Sequence, residues 1–200
     1  MKLILLLGSY DPETIAMMKR LQEFIAKTFG HDEIYTLILE RLELYQTDKV
    51  DVLAEKWSDE KVTLMMFDRK PSLVDVTDVE ISEGLNNTVE NFLKENYQVT
   101  TIHRIPILEK LSMLARVCWL IFVIRHLELT RGGELVELTY LAPSCNGKIF
   151  LLKREGVLLS TMVKEILDAF DVNLRTYNDE NELMEEVERI ILNKKLRERQ

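Results

Sequence analysis

At 200 residues, 46% of them hydrophobic, the chain can bury a sizeable core without disulfides or metals to hold it, and one domain spanning 1–200 is the expectation. A net charge of −8 argues against a partner held through its phosphate backbone, so nucleic acid is not the expected ligand. Two cysteines, Cys118 in an apolar run and Cys145 in a loop-like stretch, form neither a zinc cluster nor a disulfide framework, which points to the reducing cytoplasm.

Residues 3–7 are a continuous apolar run ended by Gly8, the pattern of a parallel strand covered on both faces. No small-residue cleavage site follows it, so it does not read as a signal peptide. Asp11 then supplies a helix cap, Pro12 suits the first helical position, and Ile15, Met18, Leu21, Ile25 and Phe29 keep helical spacing up to Gly30. A strand is expected over 34–39, although its leucines also fit a helix running on to Tyr45. Beyond it the pattern predicts a helix over 47–57 and a strand over 61–67. From Asp68 to Leu85 the chain turns acidic and loses its period, with Pro71 and Gly84 as punctuation, and the region around 68–106 reads as an irregular excursion from the core. Within it, 87–95 suggests a short helix and 99–105 a strand or extended connector.

The second half is sharper. A helix over 107–116 follows Pro106, and the apolar run 118–125 reads as a strand too short to cross a bilayer, which needs about 20 residues. A helix over 134–142 and a strand over 148–153 follow. Ser160 caps another helix, 172–177 is extended, and Asp179 with Glu182 resembles a capping box opening the last helix, which ends in Lys194, Lys195, Arg197 and Arg199. Strands alternating with helices require a mostly parallel sheet with right-handed crossovers. The expected class is therefore α/β, a three-layer sandwich of the flavodoxin-like or Rossmann-like kind.

Such sheets bind ligands beyond the carboxyl ends of their strands, which singles out Gly8, Ser9 and Tyr10 after the first strand and Arg131, Gly132, Gly133 and Glu134 after the 118–125 strand. Gly132 and Gly133 let the backbone come close to a guest, and the free amides of a helix start can hold an anion. Glu137, one turn into that helix and flanked by Tyr140 and Leu141 on the wheel, can act as nucleophile or general acid/base. The plainer alternative has Glu134 and Glu137 complementing the helix dipole and meeting solvent or Arg131. His31, His103 and His126 are too scattered for a metal site and read as surface or capping residues, and Cys145 as a turn thiol. No dinucleotide fingerprint or phosphate-binding loop is present, so no cofactor is expected.

The stretch Gly133-Glu134-Leu135-Val136-Glu137-Leu138 resembles the nucleoside 2-deoxyribosyltransferase motif, in which a glycine and usually a threonine precede a catalytic glutamate at a helix start. The likeness covers residues 1–30 and 110–196, and on it Glu137 matches the nucleophile. It implies attack on the anomeric carbon of a nucleoside or nucleotide, with Ser9 and Tyr10 on the base side, Gly132 and Gly133 near sugar or phosphate, and a homo-oligomer. Glu134 departs from the usual threonine, and the aspartate of the family's preceding strand falls at Val117 or Cys118. Two other readings stand beside it. One is a binding module that holds a nucleotide without cleaving it, since Leu129-Thr130-Arg131-Gly132-Gly133 is similar to the Gly-Gly turn of CRISPR-associated Rossmann-like sensor domains. The other is a homodimeric interaction protein.

Overall fold

In the computed structural model of the chain, residues 1–127, 133–145 and 147–199 are described, and they divide into two compact units, Met1–Ile38 with Cys118–Gln200, and Leu39–Val117. The first holds strands β1 (Lys2–Gly8) and β2 (Ile34–Ile38) around helix α1 (Pro12–Phe29). The second runs through β3 (Leu42–Thr47), β4 (Asp51–Lys56), β5 (Lys61–Phe67), β6 (Leu73–Glu80), α2 (Leu85–Tyr97), β7 (Ile102–Arg104) and α3 (Ile107–Val117). The chain then returns to the first unit through β8 (Leu120–Arg125), α4 (Gly133–Leu141), β9 (Ile149–Arg154), α5 (Thr161–Ala169), β10 (Asn173–Tyr177) and α6 (Glu180–Arg197).

Five parallel strands lie in the order β2-β1-β8-β9-β10 in the first unit. The direction in which successive strands are added reverses between β1 and β8. These two strands are buried along nearly their whole length, which is why their sequences are unbroken apolar runs rather than alternating ones. Ile4 and Leu6 of β1 share a core with Leu120, Phe122 and Ile124 of β8, packed by Met17, Met18, Leu21 and Ile25 of α1 and by Leu183, Val187 and Ile191 of α6. Helix α1 begins where Asp11 accepts a hydrogen bond from the Thr14 amide at 2.8 Å, with Pro12 in its first turn, and ends at Gly30, whose φ of 82° a side chain would strain. At α6, Asp179 accepts from the Glu182 amide at 3.0 Å, while the Glu182 carboxylate reaches back to the Asn178 amide at 2.7 Å, closing the reciprocal cap one residue early. Among the described residues no helix is long and apolar enough to cross a membrane.

The second unit is an antiparallel sheet in the order β6-β5-β4-β3-β7. Strands β3 to β6 form a meander, and β7 comes back after α2 to pair with β3. Tyr45, Val52, Ala54, Val62, Leu64 and Met66 form one face and bury against Val89 and Leu93 of α2. Asp48, in the turn between β3 and β4, accepts the Thr100 amide and hydroxyl at 2.9 Å each and the Thr101 amide at 3.3 Å, which fastens the segment before β7 to that turn. Those bonds pull its carboxyl down to about 2.

Three expectations are corrected here. The parallel sheet is joined by an antiparallel one, so the chain is not a mostly parallel α/β protein throughout. The helix expected over 47–57 is a turn and strand β4: the Thr47 hydroxyl accepts from the Lys49 and Val50 amides, and Val52 and Leu53 pair with Tyr45 and Leu44. The stretch from 68 to 85, read as irregular, contains strand β6, while α2 and β7 lie where a short helix and a strand or connector were expected. Its weak period comes from β6 being an edge strand, half in water, where Asp75, Asp78 and Glu80 alternate with valines.

Candidate functional site

The strand order reverses between β1 and β8, the place where open parallel sheets receive ligands, and the elements that leave their carboxyl ends are the loop into α1 and the chain into α4. Gly8 closes β1. A Cβ added to it would lie 2.8 Å from Thr14 Cγ2 and 3.0 Å from the Met18 sulfur, so glycine is required there for α1 to approach the strand. Ser9 is buried and turned inward. Its hydroxyl donates to the Asp11 carboxylate and lies 3.2 Å from Thr14 Oγ1. Burial by itself would raise the Asp11 carboxyl, but the bonds from Ser9 and Thr14 outweigh it and hold the group below the ordinary carboxylate value. Gly8, Ser9 and Asp11 therefore build the loop.

Tyr10 points the other way. Half exposed, it crosses to α4 and donates its phenolic hydrogen to Glu137 Oε1 at 2.5 Å, a contact between residues 127 apart in the chain. Its ring also runs along the helix start, 3.5 Å from where a Cβ on Gly133 would stand. Glu137 itself is 8% exposed. One turn earlier Glu134 is wholly buried and ion-paired with Arg125, the last residue of β8, itself buried. A buried ion pair at this place cancels a carboxylate that would otherwise stand desolvated in the first turn of α4. Arg131 and Gly132 lie outside the described residues. The structure thus brings Tyr10, Gly133, Glu134 and Glu137 together, while Gly8 and Ser9 serve packing and loop geometry beneath them.

Two residues here were not singled out by the sequence for the roles they have. Arg125 is an ion partner of Glu134. His126, expected at the surface or as a cap, is buried at 6% exposure: Nδ1 lies 3.0 Å from Tyr177 Oη and Nε2 lies 3.2 Å from Glu13 Oε1. Burial pushes the Tyr177 phenol well above its usual value, so it keeps its hydrogen and can donate it to Nδ1. That leaves Nε2–H to donate to Glu13, linking the end of β10 to the first turn of α1. The one hint in the sequence is position, since His126 directly follows a fully buried strand.

The two cysteines are buried, and burial raises both thiols. Among the described residues no group of three or more His, Cys, Asp or Glu side chains is placed to hold a metal ion. What the arrangement offers chemically is a shielded carboxylate with one oxygen held by a phenol, at the end of a parallel sheet. No family of proteins, no curated protein and no solved structure matches the chain.

Proposed function

We propose that the parallel unit is a flavodoxin-like or Rossmann-like three-layer module that breaks the N-glycosidic bond of a nucleoside or nucleotide, with Glu137 as the nucleophile. The observation that carries this reading is the Tyr10–Glu137 hydrogen bond at the strand reversal, which fixes a carboxylate where such sheets receive ligands. In the step, a Glu137 oxygen attacks the anomeric carbon as the bond to the base nitrogen breaks. The electron pair leaves with the base, which takes up a proton, and the sugar stays as a glycosyl ester. Water or a second base then attacks the same carbon and frees the carboxylate, the two-step logic of a retaining glycosidase. Tyr10 acts as a positioning residue: its O–H holds one carboxylate oxygen and so fixes the orientation of the carboxylate.

A second reading is favoured by one specific feature, the near-complete burial of Glu137 and Glu134. On this reading the same strand ends hold a nucleotide without cleaving it.

The test is chromatography of free base after incubation with a panel of nucleosides and nucleoside monophosphates. Base release that falls about 10³-fold or more in Glu137→Gln, with a covalent sugar adduct on Glu137 by mass spectrometry in the wild type, supports the glycosyl reading. Tyr10→Phe should cost about 10- to 100-fold, the worth of one hydrogen bond to a charged group. Release unaltered in Glu137→Gln removes that residue from the chemistry. Binding of a nucleotide with no release at all favours the second reading.

A further inference from the structure

β10 is an outer strand of the parallel sheet, and among the described residues no strand pairs with its open edge. The Tyr177 carbonyl accepts from the Glu155 amide at 2.7 Å on the β9 side. In a parallel ladder successive residues bond to alternate sides, so Asn173, Arg175 and Tyr177 face β9 with their backbone groups while Leu174 and Thr176 present theirs to the open edge. Edge strands are ordinarily guarded by lysine, proline, a bulge or clustered charge. β6, one edge of the other sheet, carries Asp75, Asp78 and Glu80, and its pairing with β5 shifts register between Met66 and Phe67. β10 has only Arg175, which lies 3.2 Å from a Glu186 carboxylate shared with Arg189.

Beside that edge lies a cavity of about 390 Å3, walled by Val157, Leu159, Leu167, Val172 and Leu174. Leu158 stands at its rim, 74% exposed. Lys164 and Asp168 border the same cavity from α5, both exposed. They are four residues apart on the helix, yet among the described residues neither forms an ion pair. Opposite charges so placed are complementary to themselves: a two-fold axis passing beside Ile166 sets each Lys164 against the Asp168 of an antiparallel copy.

We propose that a second copy of this chain docks on the β10 edge, extending the parallel sheet across a two-fold axis. The strands meet antiparallel about Arg175, and Leu174 of each copy exchanges both backbone bonds with Thr176 of the other. Strands about 4.8 Å apart, each pair carrying its α5 above β9 and β10, bring the two α5 axes to about the 8–10 Å of packed helices. Leu158 and Leu174 leave water there, and two Lys164–Asp168 pairs form across the axis. The Arg175 side chains oppose each other on the far face, each beside a Glu186 carboxylate that it shares with Arg189. The inference is independent of the glycosyl reading.

The test measures the mass of the full chain by size-exclusion chromatography with light scattering, with circular dichroism to confirm folding. The wild type should have twice the 23.5 kDa chain mass. Lys164→Asp should weaken the dimer about tenfold or more by setting like charges together, and adding Asp168→Lys should restore it, since the double exchange is again self-complementary. Thr176→Pro removes an outward N–H and no bond to β9, and should leave a folded single chain. A wild type of single-chain mass overturns the proposal. So does a dimer that survives both Lys164→Asp and Thr176→Pro, or a double exchange that fails to restore it.

Discussion

The two sheets treat water differently, and the difference tells where chemistry can be placed. In the parallel unit every strand runs the same way, so strand ends and the starts of the following helices gather on one side, where Tyr10, Glu134 and Glu137 lie. Its central strands are sealed on both faces, and the buried ion pair of Arg125 with Glu134 sits at that end. The antiparallel sheet alternates direction, so its polar groups are spread over turns and the β6 edge, each settled by local bonds such as those at Asp48 and Thr47. A parallel sheet concentrates unsatisfied backbone and charged side chains in one place; an antiparallel meander disperses them.

The largest effect that would break this contrast is expected at Arg125. Arg125→Ala removes an ion partner of a fully buried carboxylate and should cost about 3–5 kcal/mol in urea unfolding. A loss below about 1 kcal/mol, the range of exposed pairs, would mean the strand end is wetter than the comparison requires. Gly8→Ala should follow, at about 1–3 kcal/mol, because the new methyl would press on Thr14 and Met18. An unchanged midpoint would show α1 free to retreat from β1. The smallest effect belongs to the dispersed side. Asp48 has a folded-state value of about 2, against an ordinary 3.8, so its contribution is present above about pH 4 and disappears as pH falls through about 2. Asp48→Asn should therefore melt lower than wild type near neutrality, with the gap closing between pH 4 and 2. A gap that stays constant with pH would show that the Thr100 and Thr101 bonds do not depend on the charge.

How much of this was legible followed from burial. β1 and β8 were readable because strands covered on both faces have no choice but to be apolar throughout. α1 and α6 were readable because Asp11, Pro12, Gly30 and Asp179 mark their ends with side-chain chemistry. β4 was not, since its core of Val52-Leu53-Ala54 between Asp51 and Glu55-Lys56 has the composition of a helix, and only pairing with β3 and β5 decides otherwise. β6 was lost for the opposite reason, an edge too polar to look like a strand. Of the site, the residue types and their places at element ends could be read. Which partner each one takes could not: Glu134 meets Arg125 and Glu137 meets Tyr10 through contacts that depend on how far apart two strand ends sit.

The insertion of 39–117 between β2 and β8 has a consequence for how the protein is made. As the chain leaves the ribosome, β1, α1 and β2 emerge with no strand yet available for the inner side of β1, whereas the antiparallel unit is complete before β8 appears. The meander closes through neighbouring strands, while the β1–β8 pairing must wait for its distant half. During that interval Leu3 to Leu7 remain without their permanent neighbour. A nascent chain stalled inside the insertion would carry Tyr10 but no carboxylate for it to hold, and it would offer a chaperone the sticky flank of a half-built sheet.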